Sequence, residues 1–254
     1  MTLMHRIIGT LTASASVVLG ACGKATTVDD RNKVNAPVAE GGPAPSAEPA
    51  IPPVERTSSG FRWGTAKITT PLPEGYPGPT APGVIEVKSY PLVRRALVKG
   101  ESAMNRGMNG AFWPLFRHIQ SRDIEMTSPV EMDYSGLTAA PGDNPDSWAM
   151  SFLYRTPDLG PVGTDRSVVV EDLQPMQVVA IGFQGPYRLE VVKMNLARLE
   201  AWLAAQPVWE RDGDPRALFY NGPEQWESRK WGEVHLPIRR VNEATAQAGG
   251  AASS

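Results

Sequence analysis

The sequence predicts an α+β domain in which two helices lie outside a largely antiparallel sheet. Three observations carry that prediction. Short apolar runs of strand length recur along the chain, the first in "GVIEVKSYPLVRRALVKG". Two segments switch to helical spacing, most clearly "YRLEVVKMNLARLEAWLAAQ". The order strand-strand-helix-strand-strand occurs twice, and two such halves packed together give an antiparallel or mixed sheet, or an open barrel, with internal pseudo-symmetry.

The elements follow in order. In "GVIEVKSYPLVRRALVKG", Val84, Glu86 and Lys88 share one parity and Ile85 and Val87 the other, and Tyr90-Pro91 divides the run into two strands. A helix is expected over 111–120, with Pro114 in its first turn, where a missing N–H costs nothing. Phe112, Leu115, Phe116 and Ile119 form its buried stripe, and His118 borders that stripe. Strand-like runs at 124–134 and 147–154 close the first half. "SVVVEDL" and "QVVAIGF" open the second. Its helix places Leu189, Val192, Leu196, Leu199 and Leu203 at spacings of 3 and 4 and stops before Pro207. Extended runs at 216–221 and 233–239 finish the domain.

The ends of the chain have a different character. Arg6 is followed by a weakly apolar stretch from Ile7 to Leu19 and by small residues, the pattern of a secretory signal peptide. Leu19-Gly20-Ala21-Cys22 resembles the lipobox of bacterial lipoproteins. That resemblance implies cleavage before Cys22, lipid on its thiol and amino group, and anchoring at the cell envelope, with Gly23 favouring the outer membrane. Residues 22–56, with "APVAEGGPAPSAEPAIPPVE", have too few large apolar side chains to fold and read as an extended spacer. The domain is expected over 57–241, about 185 residues, enough to bury near 70% of its unfolded surface. Residues 242–254 read as a disordered tail.

Composition narrows the function classes. A formal net charge of −2 gives no global basic field for nucleic acid. One cysteine excludes a disulfide framework and a multi-cysteine metal cluster. No G-x-S-x-G, H-E-x-x-H or phosphate-loop pattern occurs, so no enzymatic activity is expected.

"AFWPLFRHIQ" followed by "IEMTSPVEM" resembles the signature of the SOUL/heme-binding protein family, in which a helix A-F-x-x-L-F-x-Y-I leads into I-x-M-T-x-P-V. "VIEVKSYPLVRRA", "PMQVVAIGFQGPY" and "FYNGPEQWESRKWGEVHLPI" resemble further family segments in the right order, over about residues 61–240. His118 stands where many members have Tyr, and Trp231-Gly232-Glu233 replaces R-N-E. The resemblance implies a distorted antiparallel β-barrel with two helices, and non-catalytic binding of heme or a related tetrapyrrole in an apolar groove, without an obligatory axial ligand.

The implied groove directs attention to particular residues. Met104, Met108 and Phe112 recur every four residues and share a face if helical, and methionine adapts to flat apolar ligands. Tyr220, Trp226 and Trp231 surround the loop "NGPEQWESRKW" and offer aromatic faces, with Arg229 and Lys230 suited to propionates. His118 is the candidate iron ligand; the alternative is a surface or hydrogen-bonded residue. His235 is expected to face solvent, as are Glu125, Glu131 and Asp133, and Thr127-Ser128-Pro129 to set a structural kink. Two rival functions predict different outcomes: an envelope hydrolase using groove carboxylates such as Glu131, and a protein-interaction module that binds no tetrapyrrole.

Overall fold

The computed structural model describes residues 50–101 and 104–241, with the side chains of residues 104–109 outside that description. The expected signal peptide, Cys22, most of the spacer and the tail therefore lie outside the described residues, as do the side chains of Met104 and Met108.

The first half of the domain follows the predicted order: β4 (Ile85–Tyr90), β5 (Val93–Glu101), α1 (Met104–Gln120), β6 (Val130–Ser135) and β7 (Ser147–Leu153). A short β8 (Gly163–Asp165) precedes the second half, which comprises β9 (Val168–Leu173), β10 (Met176–Gln184), α2 (Leu189–Ala204), β11 (Trp209–Arg211), β12 (Arg216–Phe219) and β13 (Trp231–Arg240). Ahead of both stand β1 (Glu55–Thr57), β2 (Gly60–Trp63) and β3 (Ala66–Ile68), a three-stranded antiparallel sheet at the start of the expected domain, whose first strand begins two residues inside the expected spacer.

The main sheet is antiparallel throughout, in the order β4-β10-β13-β12-β6-β7-β5-β9-β8, with β11 added on β13. The strands β12 and β6 meet near its middle; β13, β10 and β4 follow on one side and β7, β5 and β9 on the other. The sheet is open: it ends at β4, which carries Glu86 and Lys88, and at the three-residue β8, and short or charged edges discourage further pairing.

Both helices cover one face. Strand parity sends Val179, Ile181 and Phe183 of β10 and Val234, Leu236 and Ile238 of β13 toward them, where they pack with Ala111, Leu115 and Ile119 of α1 and Val192, Leu196 and Leu199 of α2. Phe112 and Phe116 are partly buried against the same core, and α2 keeps the predicted stripe. The helix α1 begins seven residues earlier than expected, so Pro114 lies inside it rather than in its first turn. A proline there leaves the Gly110 carbonyl without its usual donor and needs space around residue 110, which glycine provides.

Candidate functional site

The other parity builds a different surface. Val178 and Ala180 of β10, Leu218 of β12, Tyr220, and Trp231 of β13 form a second, smaller core with Ala66 and Ile68 of β3 and Tyr90 of β4. Partly buried Val54, Phe61, Trp63, Leu72 and Tyr76 pack on it. Residues 54–80 thus lie over the face that the helices leave free. Three contacts fix the end of this strap: the Trp231 indole Nε1 donates to the Thr80 carbonyl (2.8 Å), Lys88 Nζ donates to the Gly78 carbonyl (2.7 Å), and Gly83 N donates to the Gly182 carbonyl (2.9 Å). A Cβ on Gly182 would collide with the carbonyl oxygens of Thr80 and Ala81, so this close crossing requires glycine.

Charged groups are buried beneath the strap. Glu233 is fully enclosed and accepts from Thr80 N (2.7 Å), Lys88 Nζ (3.1 and 3.2 Å), Tyr220 OH (2.8 Å) and His235 Nε2 (2.6 Å). Burial alone would raise its pKa, but Lys88, the His235 hydrogen bond and the Thr80 amide outweigh that and hold it well below the usual carboxylate range. Desolvation dominates at His235 and brings it down to about 4, with Arg216 and Lys88 adding to the shift against the pull of Glu233. A neutral His235 next to an ionised Glu233 places its proton on Nε2. Burial also lifts Tyr90, Tyr220 and Tyr76 well above the ordinary phenol value, reinforced by Glu233 for the first two and Glu131 for the third.

A second cluster adjoins the first. Glu131 Oε1 accepts from Tyr76 OH (3.2 Å) and lies 3.4 Å from an Arg216 guanidinium nitrogen; its Oε2 lies 3.6 Å from Arg95. Arg95 donates to Asp133 (2.6 Å) and Glu171 (2.8 Å). The Arg216 guanidinium sits over the Tyr90 ring, 5.2 Å from its centroid. Arg216 and Glu131 are directly flanked on neighbouring strands by His235 and Ser151. All of these side chains except Tyr76, Asp133 and Glu171 are buried. His235 and Glu131, expected to face solvent, are therefore interior groups: their strand parity points them at the strap rather than at water.

The sequence-predicted residues do not meet in one cleft. Phe112 packs on the helix side of the sheet, in edge contact with Phe152 and stacked on Phe116. Tyr220 and Trp231 are buried on the opposite side, under the strap. Trp226 is 76% exposed, Arg229 is exposed, and Lys230 lies over the Tyr187 ring at 5.1 Å. His118 is buried, with Nε2 2.9 Å from Tyr154 OH and Nδ1 enclosed 3.7 Å from Asp165. Desolvation, aided by Arg122, lowers its pKa. Nε2 is engaged by the Tyr154 hydroxyl, and Nδ1, without a hydrogen-bond partner, is enclosed by protein. Thr127 and Ser128 tie the chain to the Leu153 and Tyr220 carbonyls across a cis Ser128-Pro129 peptide.

The helix α1 does present an aromatic flank. Trp113 is 57% exposed and touches both Phe112 and Phe116 edge-on (5.7 and 6.1 Å), and Arg117 Nε reaches the Trp113 carbonyl (3.3 Å). Flat apolar surface and an adjacent guanidinium fit the face and carboxylates of a tetrapyrrole; a nitrogen ligand for its iron is not offered by His118. Among the described residues no cluster of three or more His, Cys, Asp or Glu is placed to hold a metal ion, and no helix is long and apolar enough to cross a membrane.

These features define an α+β domain with an open antiparallel sheet between two helices and a covering segment. The SOUL heme-binding protein family matches residues 80–237, more than half of the chain, and the chain belongs to that family. No curated protein matches it in sequence. Among solved structures, the chain is similar to EcmrR in its DNA complex (13% identity, TM-score 0.51), covering 62% of this chain and 58% of that one. The chain therefore spans less than two thirds of the length of that relative, and at this identity the likeness is one of fold. The isolated EcmrR C-terminal domain (12% identity, TM-score 0.47, 62% and 98% covered) and a hydrolase from Listeria innocua (13% identity, TM-score 0.48, 63% and 93% covered) are also similar.

Proposed function

We propose that the protein binds heme or a related tetrapyrrole without catalysing a reaction, at the bacterial cell envelope, where lipid on Cys22 holds it to the outer membrane. The observation that supports this reading is the half-exposed aromatic flank of Phe112, Trp113 and Phe116, in a family named for heme binding. When bound, the macrocycle supplies a broad apolar face and carboxylates. Trp113 and the two phenylalanines exclude water from one side of that face, and Arg117 pairs with a carboxylate. Micromolar affinity corresponds to about 8 kcal/mol. Apolar burial at about 25 cal/mol per Å² supplies that from an area of a few hundred Å² beyond the cost of association, with no iron ligand.

A hemin titration of the purified chain tests the reading. A saturable Soret change at micromolar protein is expected, weakened at least tenfold (about 1.4 kcal/mol) by Phe112→Ala with Trp113→Ala and unchanged in shape by His118→Ala. Absence of any Soret change overturns it. Loss of radiolabelled fatty-acid incorporation in Cys22→Ser tests the anchor.

A further inference from the structure

The hairpin of β8 and β9 meets the C-terminal end of α1, where Arg122 Nη2 donates to Asp165 (3.0 Å). Between the two lies a cavity of about 310 Å³, walled by Arg117, His118 and Ser121 on the helix side and by Asp165, Arg166 and Ser167 on the hairpin side. That is room for a polyatomic ion with several waters, since one water's share of liquid volume is about 30 Å³. Helical spacing puts His118 on the far side of α1 from Phe116, so the cavity is separate from the aromatic flank. Arg166 and Ser167 form the two-residue turn between Asp165 and Val168, and Arg166 has φ 57°. Glycine or asparagine fills such a position at least cost, so an arginine there is set by what its side chain does.

The charges on this wall do not cancel. Asp165 is its carboxylate, held below the usual carboxylate range by the Arg122 hydrogen bond and therefore ionised. That pair is neutral as a unit, and burial keeps His118 uncharged. Arg117 and Arg166 remain, two guanidiniums with no carboxylate in ion-pair reach among the described residues. The wall therefore favours a dianion.

Asp165 sets a further condition. Arg122 Nη2 and His118 Nδ1 both face its Oδ2, at 3.0 and 3.7 Å, and buried His118 Nδ1 has no hydrogen-bond partner. The other oxygen, Oδ1, is left for a further donor. An anion that carries no proton meets only repulsion from that oxygen, whereas one that keeps an O–H donates to it. Hydrogen phosphate is a dianion with one O–H at neutral pH; sulfate and the dianion of a phosphate monoester have none.

We infer that this cavity is a binding site for inorganic hydrogen phosphate, with Arg117 and Arg166 as its donors, the Ser167 hydroxyl beside them, and Asp165 accepting a hydrogen bond from the ion's own O–H.

Calorimetric titration of the full chain in Tris chloride, at neutral pH and fixed ionic strength, tests this. No hemin is present, so the outcome stands apart from the heme-binding reading. Inorganic phosphate should saturate one site, with sulfate and methyl phosphate weaker by about tenfold or more. Its binding should move the amide resonances of residues 165–168. Arg166→Gln should weaken phosphate by about tenfold. Asp165→Asn offers an N–H beside the acceptor, so sulfate should rise to within about threefold of phosphate. Both side chains are exposed, and circular dichroism should not change. Absence of saturable heat together with unmoved amides, sulfate binding as tightly as phosphate, indifference to Arg166→Gln, or a phosphate preference that survives Asp165→Asn would each overturn the inference.

Discussion

The two faces of one sheet are stabilised in different ways. Under the helices, β13 contributes Val234, Leu236 and Ile238 to a core in which stability follows volume and contact. Under the strap, the same strand contributes Glu233 and His235 to a network in which stability follows pairing. Adjacent residues on a strand thus obey separate rules.

The largest effect should come from breaking a pair. Glu233→Gln keeps the shape but leaves buried Lys88 with only the partly exposed Glu86 as counter-charge, at 3.4 Å, and unfolding in urea should show a loss of about 3–5 kcal/mol. Lys88→Met combined with Glu233→Gln removes the orphaned charge and should recover more than half of that loss. On the helix face, Leu236→Ala should cost about 2–5 kcal/mol through its cavity, with no second deletion able to restore it. Equal behaviour of the two faces in this pair of experiments would dissolve the distinction.

Acid separates them next. His235 is held near 4 in the folded protein against an ordinary value of 6.5. Between those values the unfolded chain binds more protons, so stability is complete above about pH 6.5 and falls as pH drops toward 4, by about 3 kcal/mol in total. His118, also lowered, acts in the same direction; Glu233 adds its share at lower pH, as it protonates in the unfolded chain first. Replacing His235 by Gln should flatten the denaturation midpoint between pH 4 and 6.5, whereas Leu236→Ala should shift the whole curve without changing its shape.

The strap's docking is a smaller contribution. Gly182→Ala places a methyl group against the Thr80 and Ala81 carbonyls and should cost about 1–3 kcal/mol by overpacking. Hydrogen exchange should rise at Gly83, whose amide donates to the Gly182 carbonyl, before it rises in α2.

What the sequence made legible follows this division. Periodicity located α2, β4, β5, β7, β9 and β10 to within a few residues, because one buried face imposes a repeat. It placed Leu115 and Ile119 correctly for the same reason. Periodicity is silent about what covers the second face. Glu233 and His235 alternate with Val234 and Leu236, a pattern that a solvated face and a strap-covered face share. The clue lay elsewhere, in Phe61, Trp63 and Tyr76: aromatic residues at this density ahead of β4, in a stretch for which no element was predicted, need an apolar surface to pack on. The start of α1 was hidden by Gly107 and Gly110, which lower helix propensity by about 1 kcal/mol each, and by Pro114, whose usual meaning is a first turn.

The smallest predicted effect concerns Trp226 and discriminates between the α1 flank and the loop of residues 221–230 as the seat of the macrocycle. Its side chain is mostly in solvent, while the loop around it is held by other contacts: Gln184 donates to the Ser228 carbonyl, Arg188 pairs with Glu227, and Tyr187 donates to the Trp231 carbonyl. Trp226→Ala should therefore change stability by less than about 0.5 kcal/mol, as for surface substitutions in general. Binding at α1 leaves hemin affinity within twofold in this variant. A tenfold loss would mean that the exposed indole stacks on the ligand, and that Arg229 and Lys230 beside it, rather than Arg117, meet its carboxylates.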